Sequence, residues 1–360
     1  MSAGETPKHP MSTALEENLW DYDAVEPGQE GFPTVVTLSA EHIAAYARVA
    51  QNPDPRFHAS AANTDEVNAE YGGALVAMPT MVLTYAPLLR DEIAERQGFV
   101  ALEESKTARR QTPFAKCEIH WFRPVRAGDT LTGTRRVLEK YERRGSRFVT
   151  FRVEASNQAG EPVARYDYTC IFSYAKGQRD VPREPGIAQP PLVHAGADAA
   201  AAVTTSVQGR LLTFDAIAVG DPLAPLALSE SQEIMLRKNG LRLAGKPKPS
   251  NIHTDEEFAR KNIFAGMVNS GPATLSYVDQ MLQRSFPLRA FYDGGRLLMR
   301  AITPFRAGDT VTFAGEVTGK RQDDGKDGKD RSKIVDCRVR GINQRGELVC
   351  LCDATMRLPA

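Results

Sequence analysis

The stretch Pro124-Val125-Arg126-Ala127-Gly128-Asp129-Thr130-Leu131-Thr132 returns later in the chain as Pro304-Phe305-Arg306-Ala307-Gly308-Asp309-Thr310-Val311-Thr312. Working outward from it, Asn157-Gln158-Ala159-Gly160-Glu161-Pro162-Val163 matches Asn343-Gln344-Arg345-Gly346-Glu347-Leu348-Val349. Upstream, Tyr22-Asp23-Ala24-Val25 with Gly28 matches Phe214-Asp215-Ala216-Ile217 with Gly220. Asn63-Thr64-Asp65-Glu66 with Ala69 matches His253-Thr254-Asp255-Glu256 with Ala259. The matches keep one order and separations of about 180 to 192 residues, which marks a duplication. Two copies of one fold are therefore expected, over 15–175 and 210–358. Between them, 176–209 is rich in Pro, Ala and Gly and reads as a surface linker. Residues 1–14 are polar and read as a disordered tail. The charged run from Gly319 to Lys333, longer than its counterpart in the first copy, reads as a solvated hairpin loop.

Each copy predicts the same layout. A short helix comes first, over about 39–50 and 231–239, with Ser229-x-x-Gln232 offering a capping box ahead of the second. An irregular loop follows, then a longer helix, from Pro79 to Arg96 and from Pro272 to about Arg284. Proline suits both starts because its missing N–H would have no acceptor there. Leu275, Val278, Met281 and Leu282 share one apolar face at helical spacing. Strands then take over, as in Phe148-Val149-Thr150-Phe151-Arg152-Val153 and Ile334-Val335-Asp336-Cys337-Arg338-Val339, each leading to a Gln-x-Gly-Glu turn and a further strand. One central helix followed by an antiparallel sheet in each copy is an α+β fold, with the sheet wrapped on the helix.

At 360 residues the chain has room for two domains. Its 45 basic and 45 acidic residues cancel, which argues against nucleic acid or an anionic membrane as a partner. No apolar run approaches the roughly 18 to 20 residues of a membrane helix, and no secretory signal is visible. Five cysteines, an odd number without zinc-ribbon spacing, argue for a reducing compartment and a cytoplasmic protein. Cys350 and Cys352 read as buried strand residues rather than metal ligands.

With this layout the chain resembles the hot-dog fold of MaoC-type enoyl-CoA hydratases in their double form. The resemblance rests on a helix, a loop with His253, Asp255 and Ala259, a helix opening at Gly271, then the Arg-x-Gly-Asp-Thr turn and paired strands. The family signature is approximately Gly-Asp-x-Asn-Pro-(Ile/Leu)-His with a small residue six positions later. Ile252, His253 and Ala259 match it, whereas Lys248, Ser250 and Asn251 stand at the Asp, Asn and Pro positions. Ser270-Gly271 takes the place of the family's His-Gly. In the first copy Asn63 stands at the His position, His58 where the Asp would be, and Met78-Pro79 at the helix opening. An Asn exchanges no proton near neutral pH, so the resemblance implies a degenerate, acyl-accommodating first copy and a catalytic second copy.

Hydration of an enoyl thioester needs a base for the attacking water and donors for the charge that builds on the thioester oxygen. A histidine meets the first need and backbone N–H groups at a helix N-terminus the second. The resemblance assigns these parts to His253 and Gly271, the latter helped by its missing Cβ. Asp255 reads as a cap for 256–261 or as an orienting carboxylate for His253. Lys248 reads as a solvated residue, a phosphate contact for coenzyme A, or a displaced acid–base group. Asn269 and Ser270 read as substrate-carbonyl contacts or helix caps, and His58 with Asp54 as a surface loop. Arg126 and Arg306 recur and so point to a structural duty, while Arg109, Arg110, Arg143 and Arg144 are either phosphate contacts or solvated surface. The expected function is an acyl-CoA hydratase or dehydratase, a carbon–oxygen lyase of fatty acid metabolism acting on a coenzyme A or acyl-carrier-protein thioester. The alternatives are a hot-dog thioesterase or an inert acyl-CoA-binding protein. No cofactor or metal is expected, coenzyme A being part of the substrate, and a homodimer is compatible with the fold.

Overall fold

The computed structural model describes residues 17–58, 73–175, 211–246, 250–323 and 332–358. The first copy runs β1 (Leu19–Trp20), β2 (Thr34–Thr37), α1 (Ala40–Val49), α2 (Val82–Tyr85), α3 (Arg90–Arg96), β3 (Val100–Ala101), β4 (Phe114–Trp121), β5 (Thr130–Arg143), β6 (Ser146–Ser156) and β7 (Pro162–Ser173). The second runs β8 (Leu226–Ser229), α4 (Gln232–Gly240), α5 (Glu256–Lys261), α6 (Gly271–Gln283), α7 (Arg289–Tyr292), β9 (Arg296–Ala301), β10 (Thr310–Asp323), β11 (Ser332–Asn343) and β12 (Leu348–Leu358). The expected tail, the linker and the tip of the charged hairpin lie outside the described residues.

Ten strands form one sheet in the order β2-β5-β6-β7-β4-β9-β12-β11-β10-β8. Each copy contributes five strands in mirrored order, and β4 joins β9 antiparallel, with Lys116 opposite Arg300 and His120 opposite Arg296. Inward side chains alternate with outward ones, so Val149, Phe151, Val153 and Ala155 of β6 are buried while Arg152 and Glu154 reach the rim. The Gln-x-Gly-Glu turns close the β6–β7 and β11–β12 hairpins with Gly160 and Gly346 at φ 76° and 79°, a conformation that favours glycine.

The concave side of the sheet wraps α6, and every residue from Ala273 to Gln283 is buried. The apolar face meets the sheet, as the spacing predicts. The polar face is buried as well, because it packs on the first copy. There Asp279 accepts hydrogen bonds from the Thr80 N–H (3.0 Å) and hydroxyl (2.6 Å). Gln280 donates to the Ala50 carbonyl (2.5 Å).

Two local expectations are corrected. The predicted helix from Pro79 to Arg96 is broken into a 3-10 turn over Pro79–Met81, α2 and α3. Ala86 leaves the helical region (φ −126°, ψ 69°) because the ring of Pro87 excludes it, and Leu89 turns left-handed (φ 48°) before α3 begins. The cap of α4 is Ser231, whose hydroxyl accepts the Ile234 N–H (3.2 Å), and Gly240 lies inside the last turn. Ser229 instead sits on β8 against the Thr310 hydroxyl (2.8 Å).

All five cysteines are free and buried, Cys350 and Cys352 on β12. Among the described residues no helix is long and apolar enough to cross a membrane.

Candidate active site between the two copies

His253 stands on the turn before α5. The Asn251 side-chain oxygen accepts the His253 N–H (2.7 Å) and fixes that turn. The ring Nδ1 lies 2.7 Å from the Val268 carbonyl, an acceptor only, so Nδ1 carries the proton and Nε2 keeps a free lone pair. Burial pushes the imidazole pKa below 6.5. The Val268 carbonyl opposes this and the positive charge of Arg90 adds to it. The neutral, proton-accepting form is thus favoured.

Asp255 does not orient His253. Its carboxylate caps α5 by accepting the Phe258 N–H (2.9 Å) and also accepts the Ser250 hydroxyl (2.5 Å). These bonds hold it below the usual carboxylate range. Of its two sequence readings, the cap is the one formed.

The loop that carries Val268 is stitched to the repeated turn. The Arg306 guanidinium donates to the Phe264 (2.5 Å) and Met267 (3.3 Å) carbonyls, and the Asn269 N–H donates to the Phe305 carbonyl (2.6 Å). Arg306 therefore acts on the histidine through Val268. Its counterpart Arg126 is exposed and shares only the turn itself, where the Arg126 and Arg306 N–H groups donate to Asp129 (2.7 Å) and Asp309 (2.9 Å).

Ser270 caps α6 by accepting the Ala273 N–H (3.3 Å), and its own N–H donates to the Asn269 Oδ1 (3.0 Å). Gly271 opens the helix, where a backbone N–H has no carbonyl inside the helix to bond. A Cβ on Gly271 would collide with the Phe114 ring. The missing Cβ is what lets the Phe114 ring pack against the helix opening.

His253, Asn269 and Gly271 line a cavity of about 440 Å³ between the copies. Its walls are largely apolar, with Phe114, Tyr168 and Ile171 from the first copy and Met299, Phe305 and Val349 from the second. A wider recess of about 710 Å³ shares Arg90, Gln111, Tyr168 and His253 with it. Arg90, Arg109, Lys238, Arg242 and Lys246 line this recess, with Glu103 and Glu104 the acids among its described lining residues, and Lys246 pairs with Glu95 (2.7 Å). The histidine thus sits where an apolar chamber meets a cation-rich mouth.

Sequence reasoning missed Arg90. It pairs with Glu103 (2.9 Å) and donates to the Thr112 carbonyl (2.8 Å) and the Cys170 sulfur (2.8 Å). No motif marks it, because the break at Pro87 is what places α3 beside the second copy's histidine. Lys238 lines the mouth as well, paired with the buried Glu230 (2.7 Å), and burial lowers its pKa to about 8. Arg109 crosses to the second copy, donating to the Ser250 carbonyl (2.7 Å) and stacking over the Phe258 ring (4.1 Å). The loop bearing it is pinned by Glu17, which accepts from the Ser105 hydroxyl (2.7 Å) and the Lys106 N–H (2.9 Å).

Residues 27–166 match the model of the FAS1-like dehydratase domain region, and 248–337 match that of the MaoC-like domain. A MaoC-like dehydratase structure is 19% identical, covering 92% of this chain and 99% of its own at a TM-score of 0.63. A MaoC domain protein dehydratase from Chloroflexus aurantiacus is 14% identical over 96% and 99% of the two chains, at a TM-score of 0.65. A Mycobacterium tuberculosis protein with a double hotdog fold is 16% identical over 94% and 98%, at a TM-score of 0.57. The chain thus carries a FAS1-like dehydratase region followed by a MaoC-like domain, and its fold is a double hot-dog. No curated protein matches it in sequence.

Within this MaoC-like framework the remaining sequence candidates separate clearly. Lys248, at the family's Asp position, and Asn63, at the first copy's His position, lie outside the described residues. Arg143 and Arg144 stand at the hairpin between β5 and β6, and Arg110 lines neither cavity. Asp54 caps the turn Pro55–Phe57 through the Arg56 N–H (3.0 Å), and His58 Nε2 bonds the Asn52 carbonyl (2.7 Å). These two residues form a surface loop and do not reach the chamber. Among the described residues no group of three or more His, Cys, Asp or Glu could hold a metal ion.

Proposed function

We propose that the protein adds water to, or removes it from, the α,β double bond of an enoyl-CoA thioester, with His253 as the acid–base residue. The observation that supports this reading is the placement of an imidazole with an unprotonated Nε2 at the junction of an apolar chamber and a cation-rich mouth. The chamber takes the acyl chain and the mouth takes the coenzyme A phosphates, which arginine and lysine complement by charge-assisted bonds. Nε2 accepts a proton from water as its oxygen bonds the β-carbon, and the electron pair moves through the α-carbon to the thioester oxygen. The Gly271 N–H and the positive end of α6 meet that developing charge. The enolate then takes a proton at the α-carbon, delivered by the imidazolium, and dehydration runs the same steps in reverse.

A panel of enoyl-CoAs tests the reading. Loss of the conjugated-thioester absorbance without release of free thiol supports it. Free coenzyme A thiol would instead identify thioester hydrolysis, and binding without either change would identify an inert acyl-CoA-binding protein.

A further inference from the structure

We infer that the Asn269 carboxamide is a second donor to the thioester oxygen, acting beside the Gly271 N–H; this rests on the hydration reading above. Asn269 is 8% exposed and lines the chamber next to Gly271 and His253. Its orientation is fixed chemically. The Ser270 N–H must meet an acceptor, so Oδ1 faces it (3.0 Å) and the amide nitrogen is turned the other way. That nitrogen is buried and has no hydrogen-bond partner among the described residues. A buried donor left unmet is destabilising, so an acceptor supplied by the ligand accounts for its presence.

The duplication supplies an internal comparison. The Asn269 N–H donates to Phe305 (2.6 Å) as the Ala77 N–H donates to Val125 (2.8 Å), so Ala77 is the equivalent position in the first copy. The same backbone turn forms there with a methyl group. The carboxamide is therefore not required by the fold, and it occurs only in the copy that holds His253. In this reading the Gly271 N–H and the Asn269 amide, two neighbouring donors at the opening of α6, both serve the developing oxyanion.

Asn269→Ala reproduces the first copy, and Asn269→Asp keeps the shape while replacing the donor with an acceptor. With trans-2-octenoyl-CoA as substrate, both variants are expected to lose about 10²- to 10³-fold in kcat, with KM little changed. In the infrared difference spectrum, the thioester carbonyl band of bound octanoyl-CoA is expected to move to higher frequency in both variants, since one hydrogen bond is lost. Wild-type kcat together with an unmoved band in Asn269→Ala overturns the inference while leaving the hydratase reading intact. If the wild type turns over no enoyl-CoA, the hydratase reading falls, and the carbonyl band still decides whether Asn269 donates. Failure of octanoyl-CoA to bind the wild type overturns both.

Discussion

Asp279 offers the sharpest test of how the copies are joined. It is fully buried on α6 and accepts from the Thr80 N–H and hydroxyl and from the Gln283 amide (2.6 Å). Burial outweighs these bonds and raises its pKa from 3.8 to about 6. At about 1.4 kcal/mol per pH unit, holding the ionised form in the folded protein costs about 3 kcal/mol. The sign follows from proton counting. Between the two values the folded state keeps a proton that the unfolded state has released, so stability falls as pH rises through this window and levels off above about 6. Asp279→Asn removes the penalty. Among the described residues the Gln283 Oε1 is buried without a partner, so a flip of that amide gives the new side-chain NH₂ an acceptor while Thr80 keeps its own. In urea unfolding followed by circular dichroism, the variant is expected to gain up to about 3 kcal/mol on the wild type at pH 8, with the difference shrinking toward pH 4. Asp279→Ala should instead lose about 3–5 kcal/mol at pH 8, because it opens a cavity and strands the Thr80 and Gln283 donors. If Asp279→Asn destabilises equally at pH 4.5 and pH 8, the buried charge carries no such penalty and the reasoning fails.

Other outcomes are expected from the site. His253→Ala should lower kcat by about 10²- to 10⁴-fold, and the acid limb of the wild-type kcat/KM profile should fall below pH 6.5; a limb above pH 7 would point to a carboxylate partner. Gly271→Ala drives a methyl into the Phe114 ring and should cost about 1–3 kcal/mol in unfolding experiments, less in a Phe114→Leu background. Arg306→Met cuts the ties to Phe264 and Met267; steady-state kinetics should show reduced kcat while the circular dichroism spectrum stays that of the folded protein.

The duplication, the hairpin turns and the strands themselves were legible because each is written locally and then written again. The alternation in Phe148–Val153 and the Gly160 and Gly346 turns predict strands without reference to distant residues. The caps at Asp255 and Ser270 are legible for the same reason, since a cap bonds N–H groups three positions away. The break at Pro87 was also present in the sequence, but continuous helical patterning on either side of it concealed the interruption.

The sequence alone determined two copies of an α+β fold, the histidine, and the glycine that opens α6. Only the tertiary structure decided what surrounds that histidine. Arg90 reaches its cavity from the first copy, Arg109 meets Ser250 across 141 residues of chain, and Asn269 is left with a donor unpaired among the described residues. Contacts of this kind depend on how two separately coded units dock. The free energy of docking is spread over a buried interface, so no short spacing along the chain records it.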